Sequence, residues 1–152
     1  TANIALIENG KAIMGVIYVP VKDVLYSGIV GEGAIKKEGD DVSNLPIVSG
    51  ERNFTAVGSR SHMSEETEAY FNELKQKHGD VDVVSMGSSL KICLVAEGVA
   101  DVYPRFAPTM EWDTAAGHAI ASAAGKSLID YSTKQEMVYN REELLNNWFI
   151  VE

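Results

Sequence analysis

Short apolar runs, separated by turn-forming residues, fill the first fifty positions and predict antiparallel strands. These runs lie at 3–7, 12–19, 24–30 and 34–37. The dipeptide Asn9-Gly10 lies between the first two runs and favours the positive φ angles of a tight hairpin turn. Residues 38–50 are polar and include Pro46, so they predict a connecting loop. The first fifty residues are therefore predicted to form a β meander.

From residue 51 onward the pattern changes to alternating strands and helices. Strands are predicted at 54–58, 81–86, 100–103, 128–131, 137–139 and 148–151, and helices at 64–78, 89–97, 114–124 and 141–146. The first helix has the clearest ends, because Ser64 is a good N-cap and Gly79 is a good stop. Such alternation implies a sheet covered by helices on both faces. The sequence predicts an α/β protein in two parts, a β meander over 1–50 and a layered α-β-α domain over 51–152.

Composition narrows the class of protein without indicating a function. The 152 residues carry a formal net charge of −9, which argues against nucleic-acid polymers as partners, because their binding depends on clustered Lys and Arg. A few local cations and a bound metal still allow a small anionic substrate. No apolar run is long enough to span a bilayer, and Cys93 is the single cysteine, so a reducing, cytoplasmic setting is expected.

The sharpest local feature is Met110-Glu111-Trp112-Asp113-Thr114-Ala115-Ala116-Gly117, where an acidic residue precedes a predicted helix. Two interpretations of Asp113 stay open on physical grounds. Its carboxylate would cap the helix by accepting a hydrogen bond from an exposed N–H group, or it would bind a metal ion as a hard oxygen ligand. In the second case the helix N-terminus would favour a phosphate oxygen. Glu111 likewise has two interpretations, as a surface acid or as a residue that orders this loop.

Three further segments place hydroxyl and cationic side chains at predicted strand ends, where open α/β sheets bind ligands. They are Gly58-Ser59-Arg60-Ser61-His62, Gly87-Ser88-Ser89-Leu90-Lys91 and Ala100-Asp101-Val102-Tyr103-Pro104-Arg105. Taken singly, each has a simpler interpretation. The serines would be helix caps, and Lys91 would be a surface cation. His62 would be a loop residue, and Arg105 would pair with an acidic neighbour. Taken together, hydroxyls and cations suit phosphate, and Tyr103 or His62 could lie against a purine ring.

The run Trp112-Asp113-Thr114-Ala115-Ala116-Gly117, continued to Ala124-Gly125, resembles the C-terminal signature of the inositol monophosphatase superfamily. In that family the aspartate binds a catalytic Mg²⁺ ion, so the resemblance implies that Asp113 is a metal ligand. Gly125-Lys126 replaces the two glycines that the family often has, a difference that affects a turn only. The three strand-end segments are similar to those of the 3′(2′),5′-bisphosphate nucleotidases, the branch associated with sulfur assimilation. The resemblance implies the sugar-phosphatase (inositol monophosphatase-like) fold.

For the parent enzyme, the resemblance implies Mg²⁺-dependent removal of the 3′-phosphate of adenosine 3′,5′-bisphosphate, giving AMP. It implies that Asp113 is catalytic and that the substrate contacts Ser59, Arg60, His62, Ser88, Lys91, Tyr103, Arg105 and Asp113. Two alternatives stay open: an inositol monophosphatase or related sugar phosphatase, and a non-catalytic nucleotide-binding module. The additional cations Lys91 and Arg105 favour a substrate with two phosphates over the first alternative.

Family members also carry an Asp-Pro-(Ile/Leu)-Asp-Gly-Thr motif and an upstream glutamate that supply the other metal ligands, and neither occurs here. The chain also lacks an initiator Met and opens directly on the predicted strand at 3–7. We therefore expect the later half of a longer enzyme, inactive or nearly so by itself. The first fifty residues are expected to expose strand edges and an apolar face, through which copies could associate into an oligomer.

Overall fold

The computed structural model describes residues 1–47, 50–58 and 63–152. Its elements, in chain order, are β1 (Ala2–Glu8), β2 (Lys11–Val19), β3 (Val24–Ile29), β4 (Gly33–Glu38), β5 (Asp41–Leu45), β6 (Phe54–Val57), α1 (Glu65–His78), β7 (Val81–Val84), α2 (Leu90–Ala96), β8 (Tyr103–Arg105), α3 (Glu111–Ala123), β9 (Leu128–Asp130) and β10 (Phe149–Val151). No helix in these ranges is both long enough and apolar enough to cross a membrane.

The first five strands form an antiparallel meander in the order β1-β2-β3-β4-β5. The predicted Asn9-Gly10 turn is confirmed, with φ angles of 50° and 80° at the two residues. The prediction of a loop over 38–50 was wrong in part, because β5 forms there and pairs with β4 around Gly39. β5 is an edge strand, so its polar side chains remain in water and gave no alternating pattern.

The remaining strands form a mixed layer. β6 and β7 are parallel, whereas β8, β10 and β9 are antiparallel neighbours in that order. A parallel bridge between Ala56 and Val102 joins β6 to the residue before β8. The layer therefore runs β7-β6-β8-β10-β9. Helix α1 covers one face of it, where Phe71 and Leu74 pack with Ala56 and Val102.

Helices α2 and α3 lie between this layer and the meander. One hydrophobic core joins Ile17 of β2, Val95 of α2, Ile120 of α3 and Phe149 of β10, all of them buried. The order of layers is thus the meander, α2 with α3, the mixed layer and α1, which confirms the predicted α/β class. The predicted division at residue 50 stays a prediction, and this core extends across it.

Two glycines allow α3 to approach the meander closely. A Cβ atom at Gly15 of β2 would overlap the Ala116 carbonyl group of α3. A Cβ atom at Gly28 of β3 would lie 2.9 Å from the Cα atom of Ile120. Because both obstacles are helix backbone, which cannot move aside as a side chain can, larger residues at these two positions would separate the layers.

The ends of α1 agree with the sequence prediction, and those of two later elements do not. The Ser64 hydroxyl accepts a hydrogen bond from the Thr67 N–H group at 3.4 Å, and Gly79 ends the helix with φ 79°. Helix α3 begins at Glu111, three residues before its predicted start, and the strand predicted at 100–103 is β8, displaced by two to three residues. Boundaries of this kind depend on tertiary neighbours as well as on local pattern.

Residues 137–146 form neither the strand nor the helix predicted there. Their backbone groups instead bond to separate parts of the fold. The Tyr139 N–H group donates to the Gly10 carbonyl, and the Asn146 N–H group donates to the Thr109 carbonyl, both at 2.8 Å. Tertiary hydrogen bonds therefore override the local propensity of this segment.

The face of the meander that points away from α3, here called the outer face, carries exposed apolar side chains. They include Ile4, at 68% exposure, with Leu6, Met14 and Ile29. Ladder pairing makes these side chains neighbours, since Leu6 lies opposite Met14 and Met14 opposite Ile29. This matches the expected apolar face, while association into an oligomer stays a prediction.

Candidate functional site

Five of the predicted site residues line one cavity of about 270 Å³, here called the main cavity. They are Ser88, Lys91, Tyr103, Arg105 and Asp113. The cavity lies between the start of β1, the turn into α2, strand β8 and the first turn of α3. The other three predicted residues, Ser59, Arg60 and His62, lie outside the residues that the structure describes.

Asp113 is the third residue of α3, where the loop after β8 turns into the helix. Its Oδ2 accepts a hydrogen bond of 2.8 Å from the Met110 N–H group, so the carboxylate caps the helix from within its first turn. Met110, rather than Asp113, occupies the N-cap position. Asp113 is exposed, and its Oδ1 has no hydrogen bond to a described residue. One side chain at the cavity therefore combines a capping oxygen with an oxygen that bonds to no described residue.

A carboxylate at a polar cavity has the donor chemistry that Mg²⁺ prefers, so Asp113 fits one ligand position of such an ion. Across residues 1–47, 50–58 and 63–152, no group of three or more His, Cys, Asp or Glu side chains is placed to hold a metal. The described residues thus offer one carboxylate that fits a ligand position and do not complete a magnesium site.

Two cations share the main cavity with Asp113. Burial, with a smaller contribution from the Arg105 charge, lowers the pKa of Lys91. Arg105 Nη2 donates to the Pro108 carbonyl at 3.4 Å, while its buried Nε has no partner in the described part of the chain. No described carboxylate forms an ion pair with Arg105, so the structure does not support its interpretation as the partner of an acidic neighbour. An anion here would relieve the repulsion between the two cations.

Lys91, Tyr103 and Arg105 also line a second cavity of about 150 Å³ that adjoins the first. The residues that line this second cavity alone include hydroxyl and apolar side chains: Ser64, Thr67, Met63 and Phe106. The same two cations therefore face two spaces, one that contains Asp113 and one that does not.

Tyr103 lines both of these spaces. Its ring packs edge-on against Phe149 with centroids 5.8 Å apart, and Lys91 Nζ lies 5.7 Å from its centroid. Only 7% of the residue is exposed, so a small part of the ring is open to a ligand. Burial raises the pKa of Tyr103, so its hydroxyl remains protonated and can donate a hydrogen bond at neutral pH.

The serines before α2 bond to Thr1 and Asn3 at the start of the chain and do not cap the helix. Ser89 occupies the N-cap position without a side-chain hydrogen bond to the helix, and its hydroxyl bonds to Asn3 Oδ1 at 3.0 Å. Ser88 Oγ lies 2.9 Å from Thr1 Oγ1. With φ 58°, Ser88 has a conformation that is uncommon for a non-glycine residue and that often occurs at functional sites. The interpretation of Ser88 as a simple cap is therefore wrong.

Several cavity residues were missed by the sequence analysis. Asn3, Thr109 and Thr114 line the main cavity, although Asn3 is more than a hundred positions away from the other two. Asn3 stands in no motif, and its polarity at the start of a strand was the only available signal. The fold alone brings these residues together.

The chain resembles known proteins in its family, its sequence and its structure. The family model described as Inositol monophosphatase family matches residues 1–150. The chain is 48% identical to the 3′(2′),5′-bisphosphate nucleotidase CysQ of Escherichia coli strain K12 over 151 residues, which cover 99% of this chain and 59% of that protein. It is 31% identical to the protein of the same name from Haemophilus influenzae, over 97% of this chain and 55% of that one.

Solved structures with a similar fold include proteins of the same family. CysQ from Bacteroides thetaiotaomicron, a bacterial member of the inositol monophosphatase family, matches with a TM-score of 0.92 and 53% identity, over 99% of this chain and 61% of that one. Staphylococcal IMPase-II matches with a TM-score of 0.75 over 98% of this chain and 54% of that one, and its 21% identity shows a shared fold alone. The chain spans less than two thirds of each of these relatives.

Proposed function

This chain belongs to the inositol monophosphatase family, and from that premise we propose that the protein containing it is a magnesium-dependent phosphatase. The proposed reaction removes the 3′-phosphate of adenosine 3′,5′-bisphosphate, giving AMP and phosphate. Similarity to proteins named 3′(2′),5′-bisphosphate nucleotidase supports this substrate. The proposed setting is cytoplasmic sulfur assimilation.

The observation that carries the proposal is the position of Lys91 and Arg105 on two adjoining cavities. A substrate with two phosphates needs positive charge at two points, and cations that line both cavities provide it. The main cavity contains Asp113, so we place the phosphate to be cleaved there. The second phosphate and its nucleoside then extend toward the second cavity.

Each predicted residue has a proposed part in this reaction. Asp113 is the metal ligand at the reacting phosphate, and Lys91 and Arg105 neutralise phosphate charge. The hydroxyls of Ser88 and Tyr103 orient the substrate through hydrogen bonds. The remaining substrate contacts are proposed for residues outside the described ranges: Ser59, Arg60 and His62.

When bound, magnesium would neutralise charge on the leaving oxygen and lower the pKa of a coordinated water. The chain's own residues bind and orient the phosphate. Burial and the Arg105 charge disfavour the protonated form of Lys91, and a phosphate oxygen beside it would reverse that effect. The two cations are therefore arranged to bind a dianion more strongly than a neutral sugar.

We propose that these 152 residues by themselves are inactive or nearly so. Two-metal hydrolysis needs several carboxylates to hold the Mg²⁺ ions, whereas the described residues supply Asp113 without a cluster of three ligands. The missing ligands are proposed to come from a part of the protein outside this chain, since the curated relatives are longer.

Phosphate release with Mg²⁺, measured for this chain and for a protein of full family length, tests both statements. We expect turnover of adenosine 3′,5′-bisphosphate by the longer protein and none above background by the chain. Turnover by the chain would contradict the incomplete site. Preference of the longer protein for inositol 1-phosphate would contradict the nucleotide substrate and support the monophosphatase alternative.

Asp113→Asn in the longer protein tests the metal ligand. We expect kcat to fall by about 100-fold or more, since even outer partners of a metal ligand are worth roughly 10- to 100-fold. The asparagine oxygen still accepts from the Met110 N–H group, so the cap and the melting temperature should be almost unchanged. Near-normal turnover would reject the ligand role.

The lack of a three-ligand cluster among the described residues favours a second candidate, a nucleotide-binding module without catalysis. Calorimetric titration of the chain with adenosine 3′,5′-bisphosphate, with and without Mg²⁺, separates the two. Tight binding that is independent of Mg²⁺, combined with no turnover by the longer protein, would support the module.

A further inference from the structure

Residues 109–114, here called the corner, include a buried acid, Glu111, that the proposed reaction does not use. Glu111 is 8% exposed. Its Oε2 accepts a hydrogen bond from the Asn140 N–H group at 2.7 Å. Its Oε1 accepts from the Arg141 N–H group at 3.3 Å and from Arg141 Nε at 3.1 Å. A buried carboxylate needs such partners, so its place in the fold depends on them.

Arg141 and Asn146 continue this network to the cavity wall. The guanidinium Nη2 of Arg141 donates to Asn146 Oδ1 at 3.3 Å. Asn146 Nδ2 donates in turn to Thr109 Oγ1 at 3.1 Å and to Thr114 Oγ1 at 3.0 Å. Both threonines line the main cavity, on either side of Asp113 in sequence. A continuous chain of side-chain hydrogen bonds therefore joins the buried acid to the cavity.

The backbone joins the corner to residues 139–146, here called the strap. The Glu111 N–H group donates to the Leu144 carbonyl at 3.0 Å, and the Asn146 N–H group donates to the Thr109 carbonyl at 2.8 Å. The strap has no regular secondary structure of its own. Its shape is therefore maintained by the same hydrogen bonds that hold the corner.

We propose that Glu111 is a positioning residue that orients the Asp113 carboxylate through Arg141 and the strap. This rests on the metal-ligand role in the proposed function. Within the corner, Asp113 Oδ2 is bound to the Met110 N–H group, so the direction of Oδ1 follows the way the corner is held. An uncharged amide in place of the Glu111 carboxylate leaves one acceptor oxygen where Arg141 and two strap N–H groups now use two. The corner is then held less firmly, and Oδ1 spends less time in the direction that binds a cation.

Glu111→Gln in a protein of full family length tests the proposal, because it keeps the size of the side chain and removes its charge. We expect the Kd for Mg²⁺, measured by calorimetry without substrate, to rise about tenfold or more, as for other partners of metal ligands. Turnover should recover at saturating Mg²⁺. The Met110 amide, which reports the Asp113 cap, should exchange its hydrogen faster.

Glu142→Gln is the matched control, since Glu142 is an exposed acid of the same strap with no hydrogen bond to a described residue. An unchanged Kd for Mg²⁺ in Glu111→Gln, or an equal rise in Glu142→Gln, would overturn the proposal even if the melting temperature falls. If Glu111→Gln does not fold, Arg141→Lys is measured by the same criteria.

The Mg²⁺ titration needs no nucleotide, so it separates this proposal from the proposed function. A wild-type protein that binds Mg²⁺ but does not hydrolyse the bisphosphate would contradict the nucleotidase activity alone. An Asp113→Asn protein with unchanged Mg²⁺ affinity would overturn the positioning role, because that role acts through Asp113.

Discussion

The two sheets of the molecule differ in how their faces are covered. The mixed layer has α1 on one face and α2 with α3 on the other. The meander has α2 and α3 on its inner face, while its outer face exposes apolar side chains such as Ile4 and Leu6. Both sheets thus share one helical layer, and only the mixed layer is covered on both sides by described residues.

The comparison extends to the chemistry. All five described site residues belong to the second part of the chain, and Asn3 is the one meander residue among the described residues of the main cavity. The meander therefore serves mainly as a surface on which α2 and α3 are held. Strand ends and helix starts around the mixed layer supply most of the polar groups that line the main cavity, the region where α/β proteins usually bind ligands.

Gly15→Val should have the largest effect, because it breaks the contact between the meander and α3. The added side chain would overlap the Ala116 carbonyl group, so we expect a loss of about 3 kcal/mol or more, or of the folded state. Gly50→Ala is the control, since no atom of the described residues lies within 4 Å of its Cβ position. Urea unfolding of both variants checks this, and a stable Gly15→Val protein would contradict the close packing.

Ile17→Ala and Ile4→Ala compare the two faces of the meander directly. Ile17 is fully buried on the inner face, so its truncation should cost about 3 kcal/mol. Ile4 is 68% exposed on the outer face, so its truncation should cost less than about 1 kcal/mol. The free energies of unfolding in urea test the pair. Equal losses would mean that the outer face is covered in solution, for example by a second copy of the chain.

Glu97→Gln tests the polar link between the meander and α2. Glu97 is 5% exposed, and it accepts from the Tyr26 hydroxyl at 2.6 Å and from Lys36 Nζ at 3.1 Å. We expect a loss of about 2–3 kcal/mol. Glu38→Gln removes an exposed partner of the same lysine, at 3.6 Å, and should cost less than about 0.5 kcal/mol. Thermal unfolding of the two variants measures these losses of stability. Equal losses for Glu97→Gln and Glu38→Gln would contradict the link.

The smallest effect concerns pH and the buried His118 in α3, whose Nδ1 lies 2.9 Å from the Tyr139 hydroxyl. Burial lowers the pKa of His118 from 6.5 to about 4. Because the unfolded chain then binds a proton that the folded chain does not, stability is lost as pH falls from about 6.5 toward 4. Between pH 7 and 5 this amounts to about 2 kcal/mol. His118→Gln should lose correspondingly less stability over this range, and an equal loss would contradict the lowered pKa.

Much of the fold could be predicted from short segments of sequence. The Asn9-Gly10 turn, the Ser64 cap and the Gly79 stop appear where local chemistry predicts them. The strand β5 was missed, because an exposed edge strand need not alternate apolar and polar residues. Residues 137–146 were predicted wrongly, because their hydrogen bonds go to distant parts of the chain.

In the candidate site, too, the contacts between distant residues could not be predicted from the sequence. The motif around Asp113 and the three strand-end segments indicated phosphate chemistry, and the five described members do line one cavity. Ser88 was expected as a possible cap, yet its backbone has φ 58° and its hydroxyl bonds to Thr1, eighty-seven positions away. No local pattern reports a contact of that kind.

By itself, the sequence determined the α/β pattern, the Asn9-Gly10 turn, the ends of α1 and the residue types that line the main cavity, because these depend on neighbours within a few positions. Only the tertiary structure decided which Asp113 oxygen bonds to the Met110 N–H group, that Lys91 and Arg105 face two cavities, and that Glu111 is buried. The physical reason is that closeness in space differs from closeness along the chain. Hydrogen bonds and burial act over a few ångströms in space, and the residues that they join here lie far apart along the chain.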